Sequence, residues 1–153
     1  MRIEEWSGAH TRELETWHYE PPYDFYDLAS DPTGLAEMRD PARWEEYRAV
    51  LGDDGRLHAF WCFKQQGDTV EVGLGLRPDL TGRGLGESFM RAQLEHAHER
   101  WEPARFKLFV AAWNKRAIRL YERLGFREVA RETRRFELVG EHEFIQMESS
   151  AQD

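Results

Sequence analysis

The residues here whose types and spacing could do chemistry begin with 78-PDLTGRGLG-86, where Gly82, Gly84 and Gly86 alternate just after an apolar, strand-like run. Glycine at that density costs backbone entropy, so the chain there must be bare and sharply turned. Close approach to a ligand is the usual requirement, and phosphate is the commonest such ligand. Three generic phosphate loops fail on spacing. A Walker A loop needs lysine and then Ser or Thr after its last glycine, and Glu87 follows Gly86 instead. The pattern G-x-G-x-x-G ends on Pro78 from Gly73 and on Glu87 from Gly82. A kinase-type loop fails the same spacing, in a chain too short for its machinery. What is left is a set of backbone N–H groups from 82–86 at a helix N-terminus, where unsatisfied donors and the dipole favour an anion. That suits a diphosphate that is held and never broken. A ligand-free glycine turn from strand to helix stays open on the loop alone.

Other reactive types are scattered. Cys62, inside 59-AFWCF-63, reads as a small buried hydrophobe rather than an acyl-carrying nucleophile. His58, His96, His98 and His142 lack companions at metal-ligand spacing, so no metal is expected. Glu20, Tyr23, Tyr26 and Asp27 sit in an aromatic, acidic stretch, HYEPPYDFYDLASDPTG. They could hold an ammonium group through ring faces and carboxylates, or the rings could simply pack the loop onto the core.

The elements that must position these residues follow from periodicity. MRIEEW reads as a first strand, Ser7 as the cap of a helix to about Trp17, and 18–34 as a loop with a helical turn. A short helix near Leu35–Arg39 precedes a strand at Tyr47–Leu51. The turn 52-GDDG-55 then leads to strand 57–66, and 66-QGD-68 leads to strand 69-TVEVGLGL-76. Past the glycine loop, Leu85, Phe89, Met90, Gln93, Leu94, Ala97 and Trp101 keep helical spacing. Strand 105–113 and helix 115–126 come next, with Gly125 at a left-handed cap and Phe126 able to fold back. Two strands, 127–138 and 143–149, joined by 139–142, close the order β-α-α-β-β-β-α-β-α-β-β.

With this order in place, the chain resembles the GNAT family of N-acetyltransferases. Its signature [QR]-x-x-G-x-[GA] between the fourth strand and its helix falls on 81-TGRGLG-86. A second signature, asparagine near a strand end and then A-x-x-L-Y-x-x-x-G-F, falls on 114-NKRAIRLYERLGF-126. The likeness covers about 45–149 well and the first forty residues poorly. It implies an α+β fold, a mixed, mostly antiparallel twisted sheet of about seven strands flanked by helices. It also implies one domain over 1–149, with 150–153 as a C-terminal tail.

The resemblance further implies acetyl transfer from acetyl-CoA to a primary amine by direct attack in a ternary complex. Leu74, Gly75, Leu76, Thr81, Gly82, Arg83, Gly84, Leu85, Gly86 and Asn114 would bind the cofactor. Thr81 departs from the usual Gln or Arg, so Arg83 would supply the nearby positive charge. A strand N–H between Leu74 and Leu76 would meet the thioester carbonyl. Gly75 would allow that approach or a bulge, unless Gly73 and Gly75 make room for a packed aromatic. Tyr121 would protonate the leaving thiolate while lining the cofactor, and Asn114 would contact the pantetheine arm or cap the helix. Glu71 is the candidate general base, directly or through water. Glu20, Tyr23, Tyr26 and Asp27 would lie over the acceptor.

Whole-chain properties bound this reading. The chain has 153 residues, which suit one domain, and a formal charge of −8, which disfavours nucleic acid and anionic membrane as partners. Its lone cysteine suits a reducing cytoplasm. The small-molecule or peptide acceptor is not named by any motif, and the terminal hairpin strands are edges on which a homodimer could pair. A non-catalytic acyl-CoA-binding or sensing domain on the same scaffold is the alternative.

Overall fold

Alternating apolar and polar side chains make the middle of the chain strand, and the seven strands share one sheet. A computed structural model describes residues 1–151. The strands are β1 (Arg2–Glu5), β2 (Tyr47–Leu51), β3 (Leu57–Gln66), β4 (Thr69–Leu76), β5 (Arg105–Ala111), β6 (Arg127–Phe136) and β7 (Gly140–Ser150). The helices are α1 (Gly8–Leu14), α2 (Pro32–Arg39), α3 (Gly86–Trp101) and α4 (Lys115–Arg123). The sheet order is β1-β2-β3-β4-β5-β7-β6. β1 pairs antiparallel with β2, and β5 antiparallel with β7, while β4 and β5 run parallel because α3 is the crossover between them. This is the expected α+β architecture.

The β4–β5 ladder is short. It pairs Thr69 with Arg105, Val70 with Phe106 and Glu71 with Lys107, and β4 continues for five residues past the last pair. By contrast, β5 pairs with β7 along its whole length, from Arg105 with Ser150 to Ala111 with Phe144.

The chain divides into two compact units, each made of three segments. The first comprises Met1–Trp61, Leu74–Gly82 and Phe136–Gly140. Ser7 is the N-cap of α1, with its N–H donating to His10 Nδ1 at 3.0 Å. Asp31 caps α2 by accepting from the Gly34 N–H, and Pro32 opens that helix. Trp6, Leu14, Trp17, Met38 and Tyr47 are buried. The Trp6 indole N–H donates to Thr11 Oγ1 at 2.8 Å, and the Thr11 hydroxyl donates to the Met38 carbonyl at 2.6 Å. Two buried polar groups are thereby satisfied, which spares the desolvation penalty of about 1–3 kcal/mol each. Tyr23–Tyr26 and Leu28–Ser30 form tight helical turns of the 3₁₀ kind, two where the loop at 18–34 was expected to hold one, and Pro41–Glu46 forms another.

The second unit comprises Cys62–Gly73, Arg83–Arg135 and the stretch from Glu141. Phe89, Met90, Ala97, Phe106, Leu108, Val110, Phe126 and Met147 form its core. α4 ends as its sequence predicts. The Gly125 N–H donates to the Glu122 carbonyl and the Phe126 N–H to the Tyr121 carbonyl, with Gly125 at φ +95°. Phe126 is thereby turned fully inside, a burial that contributes about 1.5–3 kcal/mol.

Some boundaries moved. β5 stops at Ala111 rather than 113 because the Asn114 N–H turns back to the Ala111 carbonyl at 2.9 Å. β7 starts earlier than expected, at Gly140 with φ +79°, so the closing turn is tighter. It also reaches Ser150, and the Ala151 N–H donates to the Ala104 carbonyl. Gln152 and Asp153 lie outside the described residues. Among the described residues, no helix is long and apolar enough to cross a membrane.

Candidate active site

The glycines of the loop divide between two causes. Pro78–Leu80 is a short turn, after which Gly82 takes φ +70° and Gly84 φ +74°, values that residues with a Cβ reach only under strain. Leu85 follows in right-handed geometry at φ −84°, and α3 begins at Gly86. A left-handed residue followed by a right-handed one turns successive N–H groups toward one side, the geometry that holds anions. Gly86 answers to packing instead, since a Cβ there would come within 3.0 Å of Leu120 Cδ2 on α4. Arg83 is exposed.

The Thr81 hydroxyl donates to the Pro78 carbonyl at 2.6 Å and its N–H to the same carbonyl at 3.2 Å. Both donors therefore close the turn, so Thr81 shapes the loop in which its cofactor contact is expected.

The strand glycines also have a packing cause. A Cβ on Gly75 would fall 2.0 Å from Phe60 Cε1, and one on Gly73 would fall 2.4 Å from Cys62 Sγ. Gly75 thus makes room for an aromatic ring, the second of the two readings open for it. Leu74, Gly75 and Leu76 lie in the part of β4 beyond its ladder with β5. Glu71 lies inside that ladder, opposite Lys107.

A residue that the sequence reasoning missed meets the end of β4. Tyr19 donates its hydroxyl to the Leu76 carbonyl at 2.5 Å. Burial, and then the nearby Asp27 carboxylate, push this phenol well above the ordinary tyrosine value, so it remains a neutral donor. The signal was the crowding of aromatics in HYEPPYDFYD, but nothing local selects Tyr19 from its neighbours.

Asp27 organises that loop. Its Oδ1 accepts the Tyr19 N–H at 2.8 Å, and its Oδ2 pairs with His18 Nδ1 at 3.1 Å. Both carboxylate oxygens thus help to hold the loop, and each keeps a further lone pair. Tyr23 and Tyr26 share one tight turn, and the Tyr23 N–H donates to the Glu20 carbonyl at 2.8 Å. Phe25 meets the rings of Tyr26 and Phe136 edge-on at 5.1 and 5.0 Å, so aromatics do fasten this loop. The Glu20 side chain is exposed.

On α4, Asn114 is buried at 8% exposure and its Oδ1 accepts the Ala117 N–H at 3.2 Å, which is the capping role. Tyr121 lies two turns along, half-buried, its ring 6.1 Å from that of Phe126. Among the described residues, no three His, Cys, Asp or Glu side chains gather as a metal site.

The model of the acetyltransferase (GNAT) family matches residues 3–126. A mycothiol acetyltransferase of Clavibacter sepedonicus is 41% identical over 78 residues, 50% of this chain and 25% of that protein. One of Corynebacterium aurimucosum is 32% identical over 123 residues, 74% of this chain and 40% of that protein. The chain thus spans between a quarter and two-fifths of the length of these relatives. An acetyltransferase (GNAT family) from Bacillus anthracis has the same fold, with TM-score 0.76 at 13% identity over 99% of this chain and 95% of that one. The ribosomal-protein-S18-alanine N-acetyltransferase of Escherichia coli does too, with TM-score 0.69 at 21% identity over 99% and 94%. With its family model spanning most of its length and its fold repeated in these structures, the chain belongs to the GNAT family of acetyltransferases.

Proposed function

We propose that this protein moves an acetyl group from acetyl-CoA to a primary amine of a small molecule or peptide, by direct attack in a ternary complex. The observation that carries the reading is the strand-to-helix loop bared by left-handed Gly82 and Gly84, in a chain of the GNAT family. Such a loop fits a diphosphate, with Arg83, Gly84, Leu85 and Gly86 supplying backbone N–H groups and one positive charge. A β4 N–H between Leu74 and Leu76 polarises the thioester carbonyl, an interaction of the kind that lowers a barrier by roughly 2.7–4 kcal/mol. The neutral amine forms its C–N bond as the C–S bond breaks. Glu71 takes the amine proton through water, and Tyr121 protonates the departing thiolate.

Glu20, Tyr23, Tyr26 and Asp27 receive the acceptor's positive end, and Asp27 also holds the loop that carries them. By their names, relatives of this chain are mycothiol acetyltransferases, and solved structures of the same fold are a spermidine N-acetyltransferase and a ribosomal-protein-alanine N-acetyltransferase. That range supports an amine acceptor without selecting one. Residues 1–149 act as one domain in a reducing cytoplasm, and the exposed β6 edge is where two copies would pair.

Release of free thiol from acetyl-CoA, followed with a thiol-specific dye across spermidine, amino sugars and short peptides, tests the reading beside Tyr121→Phe. At least one amine should release thiol, and the variant should lose about a hundredfold in rate with acetyl-CoA affinity kept. Acetyl-CoA binding without thiol release from any amine would instead favour the sensing domain.

A further inference from the structure

Gln93 is fully buried in the middle of α3, among the apolar residues of that helix face. Its side-chain amide is committed to the sheet. Nε2 donates to the Cys62 carbonyl on β3 at 3.1 Å and to the Gly73 carbonyl on β4 at 2.8 Å. Two carbonyl acceptors can be met only by the NH₂ end, which fixes the orientation of the amide. Its Oε1 is buried without a hydrogen-bond partner among the described residues. An apolar residue would avoid that orphaned acceptor but would leave both carbonyls without this donor, so what the glutamine supplies here is its grip on the two strands.

The place of the contact is informative. Gly73 is two residues past Glu71, where the β4–β5 ladder ends, and one residue before Leu74. A Cβ on Gly73 would overlap Cys62 Sγ, so the two residues grasped by Gln93 already face each other closely. β4 has thus lost its β5 neighbour at the point where Gln93 takes hold of it.

We propose that Gln93 is a positioning residue for acetyl transfer. By gripping the Cys62 and Gly73 carbonyls with one amide, it sets the course of β4 into the Leu74–Leu76 N–H groups. The inference rests on the reading that one of those N–H groups polarises the thioester carbonyl. Donor placement within a fraction of an ångström governs how well such a group acts, so a strand held on one side only needs a second restraint.

The test is isotope-edited infrared spectroscopy of acetyl-CoA labelled with ¹³C at the thioester carbonyl, bound to the protein without an acceptor. In the wild type the carbonyl stretch should move to lower frequency than in water. In Gln93→Met, which keeps length without a donor, that shift should be lost while acetyl-CoA affinity by calorimetry is retained. An equal shift in both proteins overturns the role of Gln93 and leaves the β4 reading standing. No shift in the wild type overturns the β4 reading, and the role of Gln93 with it. Loss of acetyl-CoA affinity together with melting temperature in the variant marks Gln93 as merely structural and also overturns the proposal. Should Gln93→Met fail to fold, Gln93→Asn, whose amide falls one methylene short, is read by the same outcomes.

Discussion

Tyr19 ties the covering loop to the strand through one hydroxyl, and its protonation state makes that tie depend on pH. The phenol's pKa is raised in the folded chain, first by burial and then by Asp27, so the folded state holds this proton more tightly than the unfolded one. Its stabilising contribution is therefore complete below the ordinary phenol value of about 10 and is lost as pH climbs from there toward the folded value. Tyr19→Phe should cost about 0.5–1.5 kcal/mol at neutral pH by removing the bond to the Leu76 carbonyl. It should also flatten the fall in melting temperature above about pH 10. A variant with the same alkaline fall as wild type would show that some other group sets it. The tyrosine was present in the sequence, but its partner lies 57 residues away, a distance over which no local pattern reaches. Gln93 was legible only as one more position on the helix face for the same reason, its acceptors being 31 and 20 residues away.

At the scale of elements, glycines of like appearance should respond differently to one added methyl. Gly125 and Gly84 have open space around a Cβ and left-handed φ, so alanine there costs backbone strain alone, about 1–2 kcal/mol. Gly75→Ala drives a methyl into the Phe60 ring and should be the most destabilising of the set in thermal melts. Gly86→Ala meets a flexible leucine tip at 3.0 Å and should be the mildest. Gly84→Val should weaken acetyl-CoA binding, and because its Cβ meets no protein atom within 4 Å its cost to the fold is the backbone strain of a branched residue at φ +74°. Unchanged affinity by calorimetry would remove the loop from the site. These elements show where the sequence could be read. β3 and β4 occupy the residues that alternation assigns to them, and α4 begins and ends on its Asn114 and Gly125 signals, because such signals act within a few residues. Between Tyr23 and Ser30 the sequence showed one helical turn where the chain makes two, and the packing of Phe25 on Phe136 lies beyond the reach of local pattern. The twin cause of the alternating glycines was hidden too. Gly82 and Gly84 serve backbone conformation, whereas Gly75 and Gly86 serve packing, and only three-dimensional neighbours separate the two.

For the whole molecule, the charge of −8 gives the two proposed co-substrates opposite long-range forces. A cationic amine is drawn toward a net acidic protein, and a coenzyme with several phosphates is repelled, each over a range set by salt. The Debye length shrinks from about 30 Å at 0.01 M to about 10 Å at 0.1 M ionic strength. Raising salt across that range should therefore slow the association of a polyamine such as spermidine, while association of acetyl-CoA should hold steady or quicken. Close contacts at 82–86 act on dissociation more than on encounter, so they should leave this contrast in the association rates intact. Stopped-flow fluorescence can follow both ligands, with the tryptophans at 6, 17, 44, 61, 101 and 113 as the signal. If both association rates fell together with salt, a local positive field, with Arg83 as its nearest source, would outweigh the net charge in steering acetyl-CoA.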